Sequence, residues 1–483
     1  MRWDRTRLAQ AAAAATCLLL LGCSGGADPE QPPTDPVASS PAAQASEAAV
    51  PFTDCGDACS GTIEGAEYRI LLPKAWNGTL LLYSHGYRSP VRVPPDNTPA
   101  STRAEPSPGY SDGGVPLARA LLSQGYALAG SGWASNGWAV SDGVRANSDL
   151  YEFFSESVGM PERVYLWGDS LGGLVTMETA EANPDWVSGA APLCGVVGGI
   201  LPNFDLALDV QYGIRELLDP GSRLTGYDSA DAASAQFTES SQKVRDAAGS
   251  PEGRADVLAL ALLADAALQS RTQDGSTLDS KVQVAAESAV IALGFGTGGR
   301  WDVEQRYGGN ISENTDTDYA ARFSAEDRAL LDEAGGAGSA DRIIGALQDG
   351  ARVTAESAAV RAARADGGTP SGAIEVPTMT LHTAADPLVV VQNQTLLRDA
   401  SGSTDELVQL FTVAPDTYPP SPGAPYGAGH CEFTPESRVG MIELLDRWVR
   451  GGQQPDNAAV LMEFGPGSGF DPTFQPGPWP QPQ

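Results

Sequence analysis

The chain reads as an α/β protein with a mostly parallel central sheet, flanked by helices and interrupted by a large helical insertion. Three observations predict this. Short apolar runs alternate with amphipathic helical stretches up to about residue 197, the rhythm of strands crossing back through helices. After Gly198 the rhythm stops, and alanine-rich helical sequence such as "ADVLALALLADAALQS" and "SKVQVAAESAVIALG" follows. Strand-like runs resume at "VPTMTLHTAADPLV" from Val376 and "ELVQLFTVAP" from Glu406, closed by the amphipathic "ESRVGMIELLDRWVRG".

With 483 residues, 42% of them hydrophobic, the chain can bury a substantial core. Its 30 basic against 61 acidic side chains leave a formal charge of -31, which repels phosphate backbones and anionic headgroups, so no nucleic-acid partner is expected.

Taken in order, residues 1–22 read as a signal peptide. Arg2, Arg5 and Arg7 form a basic start, and the apolar stretch from Leu8 to Gly22 is shorter than the ~20 residues of a bilayer span. "LLGC" at Leu20–Cys23 resembles the lipobox of bacterial lipoproteins, which implies cleavage before Cys23 and lipidation of its thiol. The expected location is extracytoplasmic, with membrane contact through the lipid anchor only. Residues 23–50, rich in Pro, Ala, Ser and acids, read as a flexible tether.

Residues 51–197 hold the first half of the core, with strands expected at "EYRILLP", "TLLLYSHG", "YALAGSGW", "RVYLWGDS" and "VSGAAPLCGV". Residues 198–372 form the helical insertion and 373–450 the second half of the core. Residues 451–483, ending in "GPGSGFDPTFQPGPWPQPQ", are a Pro/Gly-rich tail with little expected regular structure.

Beyond Cys17 and Cys23, four cysteines remain: Cys55, Cys59, Cys194 and Cys431. An even number in an exported chain suggests two disulfides. Zinc is disfavoured, because there is only one C-x₃-C pair. With no phosphate-cradling loop either, no metal or cofactor is expected.

The pattern G-x-S-x-G occurs three times, around Ser24, Ser111 and Ser170. It has mechanical content only where a strand feeds a tight turn that opens a helix. Ser24 lies at the processing site, and Ser111 follows the proline-rich "PPDNTPASTRAEPSPG", which forbids a central strand. Ser170 follows the β-prone "RVYLW" and precedes the helical "LGGLVTMETAEA". A serine hydroxyl also needs a base, and the chain has only His85, His382 and His430. His430 lies in the glycine-flanked "YGAGHCEFTPES" between the last strand and the last helix, whereas His382 sits inside a strand, where packing or local hydrogen bonding is expected of it.

These residues carry a resemblance. The elbow "GDSLGG", the "HG" at His85–Gly86 after an early strand, the acid in "LHTAADPLV" and the late "GH" make the chain similar to the α/β-hydrolase family over about residues 60–200 and 371–450. The resemblance implies an α/β-hydrolase fold with the insertion as a cap. It implies Ser170 as nucleophile, His430 as general base and then acid, and Asp386 as the group orienting the imidazole. It also implies an oxyanion hole from the backbone N–H of Leu171 and one from the turn at Gly86 and Tyr87, which His85 shapes. Some relatives place the acid after the preceding strand, which here leaves Asp205 or Asp209 open.

The pair His430–Cys431 is similar to the tannase and feruloyl esterase group, where a cysteine after the histidine is bridged to one just before the serine. Here Asp169 precedes Ser170. The family arrangement instead implies a Cys194–Cys431 bridge, with Cys55 and Cys59 closing a separate loop.

A serine nucleophile favours acyl transfer, and the expected activity is that of an exported esterase acting on a small-molecule or polymer ester. A serine peptidase of the same fold and a non-catalytic surface lipoprotein stay open as alternatives. The cap is expected to lie over the sheet's C-terminal edge and line the pocket, with Phe204, Trp301 and Tyr307 as candidate lining residues.

Overall fold

The computed structural model describes residues 55, 58–90, 102–110, 115–402, 405–418 and 426–480. The expected signal peptide, the lipidation site Cys23, the tether and Ser111 lie outside them. Among the described residues, eight strands form one sheet: β1 (Ala58–Ile63), β2 (Ala66–Leu71), β3 (Thr79–Ser84), β4 (Ala127–Ser131), β5 (Arg163–Asp169), β6 (Gly189–Leu193), β7 (Thr378–Thr383) and β8 (Leu407–Thr412). Their spatial order is β1-β2-β4-β3-β5-β6-β7-β8. β2 runs antiparallel to both β1 and β4, and every later pairing is parallel. This is the α/β-hydrolase fold.

The seven strands expected from apolar runs are present. β1, "ACSGTI", escaped the sequence reading, because only half-buried and exposed residues compose it and its pairing with β2 across the turn at Glu64–Gly65 makes it a strand. β5 shows why the central runs are apolar throughout. Val164 and Leu166 enter one core cluster while Tyr165 and Trp167 enter another on the opposite face, as a sheet covered on both sides requires.

Helices α2 (Val140–Ser157) and α3 (Leu171–Ala182) cover the first of these faces. Helices α1 (Pro116–Ser123) and α13 (Pro435–Gly451) cover the second, where Met441, Leu444 and Leu445 meet Tyr165, Trp167 and Leu381. Between β6 and β7 the chain leaves the sheet for a run of helices. They are α4 (Ile200–Leu217), α5 (Ala230–Ala248), α6 (Arg254–Leu263), α7 (Leu278–Gly294), α8 (Arg300–Tyr307), α9 (Ala325–Gly335), α10 (Ser339–Asp349) and α11 (Ser357–Asp366). A π-helical turn at Phe295–Gly299 joins α7 to α8. This cap has a core of its own, built from residues such as Leu208, Val257, Leu260, Val282, Ile343 and Leu347. Helix α12 (Asn393–Ser401) then connects β7 to β8.

The tail holds more structure than expected. Residues Asn457–Phe464 form α14, opened by the Asp456 carboxylate accepting the Ala459 N–H at 2.8 Å. Val460 and Phe464, one turn apart, bury against the face lined by α13, and farther on Trp479 joins the cap core. Apolar residues spaced for docking outweigh the tail's Pro and Gly content. Among the described residues, no helix is long and apolar enough to cross a membrane.

Candidate active site

Ser170 stands between the end of β5 and the start of α3, with φ 60 and ψ -122. A non-glycine residue rarely holds such a conformation, and the surroundings enforce it. Its N–H donates to Leu193 O at 3.0 Å, and its own carbonyl accepts the Gly173 N–H at 2.9 Å. Crowding explains the flanking glycines: a Cβ on Gly172 would lie 2.0 Å from Ser84 O, and one on Gly168 would lie 2.3 Å from Gly172 O. The turn therefore admits no side chain at either position. Leu171 opens α3, so its N–H is one of the first-turn donors without an intrahelical acceptor. Gly86 packs against the serine, since a Cβ there would lie 3.3 Å from Ser170 Cβ.

Asp386 follows β7, and its carboxylate is held from both sides. Oδ1 accepts the N–H groups of Leu388 at 2.8 Å and Val389 at 2.9 Å, while Oδ2 accepts His430 Nδ1–H at 2.7 Å. These bonds place the His430 proton on Nδ1 and leave Nε2 as the acceptor. Nε2 is buried without a partner among the described residues. The histidine loop is pinned to the same strand end, with Gly429 N–H donating to Ala385 O at 2.9 Å and Thr383 Oγ1 to Gly429 O at 2.8 Å.

Asp205 and Asp209, the alternative acids, lie on α4 in the cap. Asp209 accepts from Tyr319 and pairs with Arg322, and Asp205 accepts the Glu313 N–H.

Two links join the serine turn to the histidine loop. Cys194 directly follows Leu193, the residue that holds the Ser170 N–H, and it is bridged to Cys431, which directly follows His430. The two Cα atoms lie 5.3 Å apart. Both cysteines have positive φ, 44 for Cys194 and 56 for Cys431. Sulfurs and imidazole are close: the two Sγ atoms and a ring nitrogen of His430 lie within 4.8 Å of one another. Joined as a disulfide, the sulfurs offer no thiolate to a metal.

The second link is ionic and escaped the sequence reading. Arg438 Nη1 bonds the Asp169 carboxylate at 2.8 and 3.0 Å, and Nη2 donates to Cys431 O at 2.9 Å. Burial disfavours the guanidinium charge, and Asp169 more than restores it. Asp169 thus takes the place in the chain where the tannase-like pattern has cysteine, and through Arg438 it reaches the same loop. Two residues 269 apart carry no sequence signal of such a pairing. Cys55 and Cys59 form the other disulfide, at the sheet's β1 edge.

The remaining histidines have structural surroundings. His382 Nε2–H donates to Val389 O at 2.8 Å and its Nδ1 accepts from Gln394 at 3.2 Å. Burial lowers its pKa and keeps it neutral. His85 Nδ1–H donates to Gly86 O at 2.7 Å while its ring stacks on Trp133, centroids 3.8 Å apart. Burial first, and Arg88 second, push its pKa well below the ordinary value. It fixes the turn carrying Gly86 and Tyr87 without a charge.

Ser170 opens onto a narrow cavity of about 60 Å³. On the core side it is walled by Tyr87, Trp138, Leu171, Val196 and the segment from Pro387 to Val390. Helices α4, α6 and α7 supply the other wall, including Phe204, Val210, Leu260, Ala261, Ser288 and Ala289. Of the three cap aromatics expected here, Phe204 lines the cavity and Trp301 and Tyr307 do not. Tyr307, at the end of α8, is buried among Trp138, Ile200 and Ala363 instead, where α8 meets α11.

No protein-family model matches the chain. Among curated proteins it is similar to an o-phthalyl amidase of Xanthobacter agilis, 24% identical over 83% of this chain and 89% of that protein. Among solved structures it is similar to feruloyl esterase B from Aspergillus oryzae, at 15% identity, 83% of this chain, 80% of that chain and a TM-score of 0.36. A bacterial membrane phospholipase A described as a virulence factor matches at 14% identity, 81% and 86% coverage and a TM-score of 0.35. The rice cell wall degrading esterase LipA from Xanthomonas oryzae, in a ligand-bound form, matches at 14% identity, 72% and 78% coverage and a TM-score of 0.33. Superpositions this loose carry no argument, and the fold rests on the strand order itself.

Proposed function

We propose that the chain is an exported serine hydrolase that cleaves carboxylic esters through an acyl-enzyme. One observation carries the reading: the Asp386–His430 pair leaves Nε2 free on a loop cross-linked to the end of β6, which holds the N–H of the strained turn that presents Ser170. In this mechanism Ser170 Oγ attacks the ester carbonyl carbon as His430 Nε2 takes its proton. The imidazolium so formed is stabilised by Asp386 and returns the proton to the departing alcohol. Water then adds to the acyl carbon while losing a proton to His430, and the bond to Ser170 Oγ breaks as His430 returns that proton to Oγ and the acid leaves. The developing oxyanion is received by the Leu171 N–H together with one from the Gly86–Tyr87 turn. Ser170 Oγ and His430 Nε2 share no hydrogen bond in the free protein, a looseness common in unliganded sites that tighten on substrate.

The two disulfides fit an oxidising compartment, which supports export; the lipid anchor at Cys23 rests on the sequence pattern alone. Amide hydrolysis is the second reading, favoured by the similarity to an o-phthalyl amidase. A panel of p-nitrophenyl esters against aryl amides separates the two. Ser170→Ala is expected to lower kcat by on the order of 10⁴ or more on the preferred class with the unfolding midpoint kept. Turnover surviving in Ser170→Ala refutes the reading.

A further inference from the structure

The cavity has a direction. It begins beside Ser170 among Leu171, Val196, Phe204 and Val389, which belong to the cluster between sheet and cap. It also reaches Leu260, Ala261, Ala264 and Ala289, which belong to the core of the cap itself, and Val390, which packs into that core from beyond β7. Alanines on α4, α6 and α7 leave open a space that larger aliphatic side chains would fill. Among the described residues, no charged side chain lines it.

Within this wall Ser288 stands out. It is 4% exposed, and its Oγ has no hydrogen-bond partner among the described residues. A helical hydroxyl usually returns to the carbonyl four residues back. Ser148 does so at 3.2 Å, Ser155 at 2.8 Å and Thr297 at 2.8 Å, whereas Ser288 leaves the same option unused. Other polar groups of the wall are occupied. Asn203 is bonded to Gly199 O and Asn393, Tyr87 OH donates to Asp302, and the Trp138 indole N–H donates to Gly367 O. A buried hydroxyl without a partner costs stability unless something that enters the cavity satisfies it.

We propose that Ser288 is a specificity-determining residue, and that the site takes esters of an uncharged, mainly apolar acid carrying an oxygen atom remote from the scissile carbonyl. This rests on Ser170 as the nucleophile. The acid half is assigned to the cavity because it stays attached through the acyl-enzyme, whereas the alcohol must leave before water arrives. A mainly apolar slot suits the part that stays. At its depth Ser288 Oγ–H donates to the substrate's ether, keto or hydroxyl oxygen.

The test compares p-nitrophenyl alkanoates from butanoate to decanoate with their ω-methoxy counterparts of matched length, using the full chain. At one chain length kcat/KM for the methoxy ester is expected to exceed that of its alkyl match by about tenfold. In Ser288→Ala the ratio falls to about one, and in Ser288→Thr, which keeps the hydroxyl, it stays above one. Ser288→Leu, which fills the slot, shortens the longest alkanoate accepted. A ratio that is the same in the parent and Ser288→Ala at every length overturns the assignment. Loss of the foundation reads differently: Ser170→Ala would then still turn over the plain alkanoates.

Discussion

Replacing Arg438 by methionine removes the strap between the serine turn and the histidine loop while keeping most of the side-chain volume. The ion pair is nearly buried, with Arg438 12% and Asp169 14% exposed, so its removal strands a carboxylate next to Ser170. Breaking such a pair costs about 3–5 kcal/mol, and the lost Arg438–Cys431 O bond adds about 1 kcal/mol. Removing both charges in Asp169→Leu/Arg438→Met leaves no stranded charge, so the double variant should recover most of the loss. Urea unfolding of the parent, both single variants and the double variant measures this, with a coupling of at least about 2 kcal/mol expected. Activity supplies the second readout. The strap holds Asp169, one residue before Ser170, and Cys431, one residue after His430; a ~1 Å drift between these loops lowers kcat by about 10²-fold with little change in KM. Arg438→Lys tests geometry against charge. One ammonium cannot span the carboxylate and the carbonyl, so stability should return further than kcat does. Additive single effects, together with kcat within about twofold of the parent in Arg438→Met, would refute the strap.

Cys431→Ser should destabilise by on the order of 2–5 kcal/mol, because the bridge closes a loop of 237 residues, and should lower kcat more than Cys55→Ser, whose bridge closes a loop of 4. Equal kcat losses would detach the bridge from catalysis. Burial pushes Asp205 up to about 7, so the fold favours its protonated form. Its contribution is present below about pH 4 and lost as pH rises toward 7, on the order of 2–4 kcal/mol. Glu178, at about 7, and Asp302, at about 6, act in the same sense. Asp205→Asn should therefore lose less stability than the parent across about pH 4 to 8 in urea unfolding, and an unchanged pH slope would contradict the shift. Phe204→Ala should alter the ester preference and Trp301→Ala should not, since only Phe204 faces the cavity. The same ester series reads both, and equal shifts would move the boundary of the site.

Local signals were enough for the strand–turn–helix at Ser170. Apolar runs, glycines and helical periodicity all act within a few residues of one another, and the structure places them as read. The acid had three sequence candidates, and distance alone separates them: Asp386 meets His430 because β7 ends beside the loop that carries it, whereas Asp205 and Asp209 leave with α4 into the cap. Alanine-rich periodicity marked the cap as helical without revealing that its alanines open toward Ser170 or that Ser288 faces the opening. Periodicity reports which side of a helix is apolar, not what that side meets. Arg438 is the clearest case, an ordinary basic residue on an amphipathic helix until packing brings Asp169 and the Cys431 carbonyl to its two ends. The sequence by itself determined the elements and the strand–turn–helix that carries Ser170, because those rest on neighbouring residues. Tertiary structure decided the partner of His430, the straps across the site and the shape of the cavity, because each joins residues that only the sheet order and the cap bring within reach.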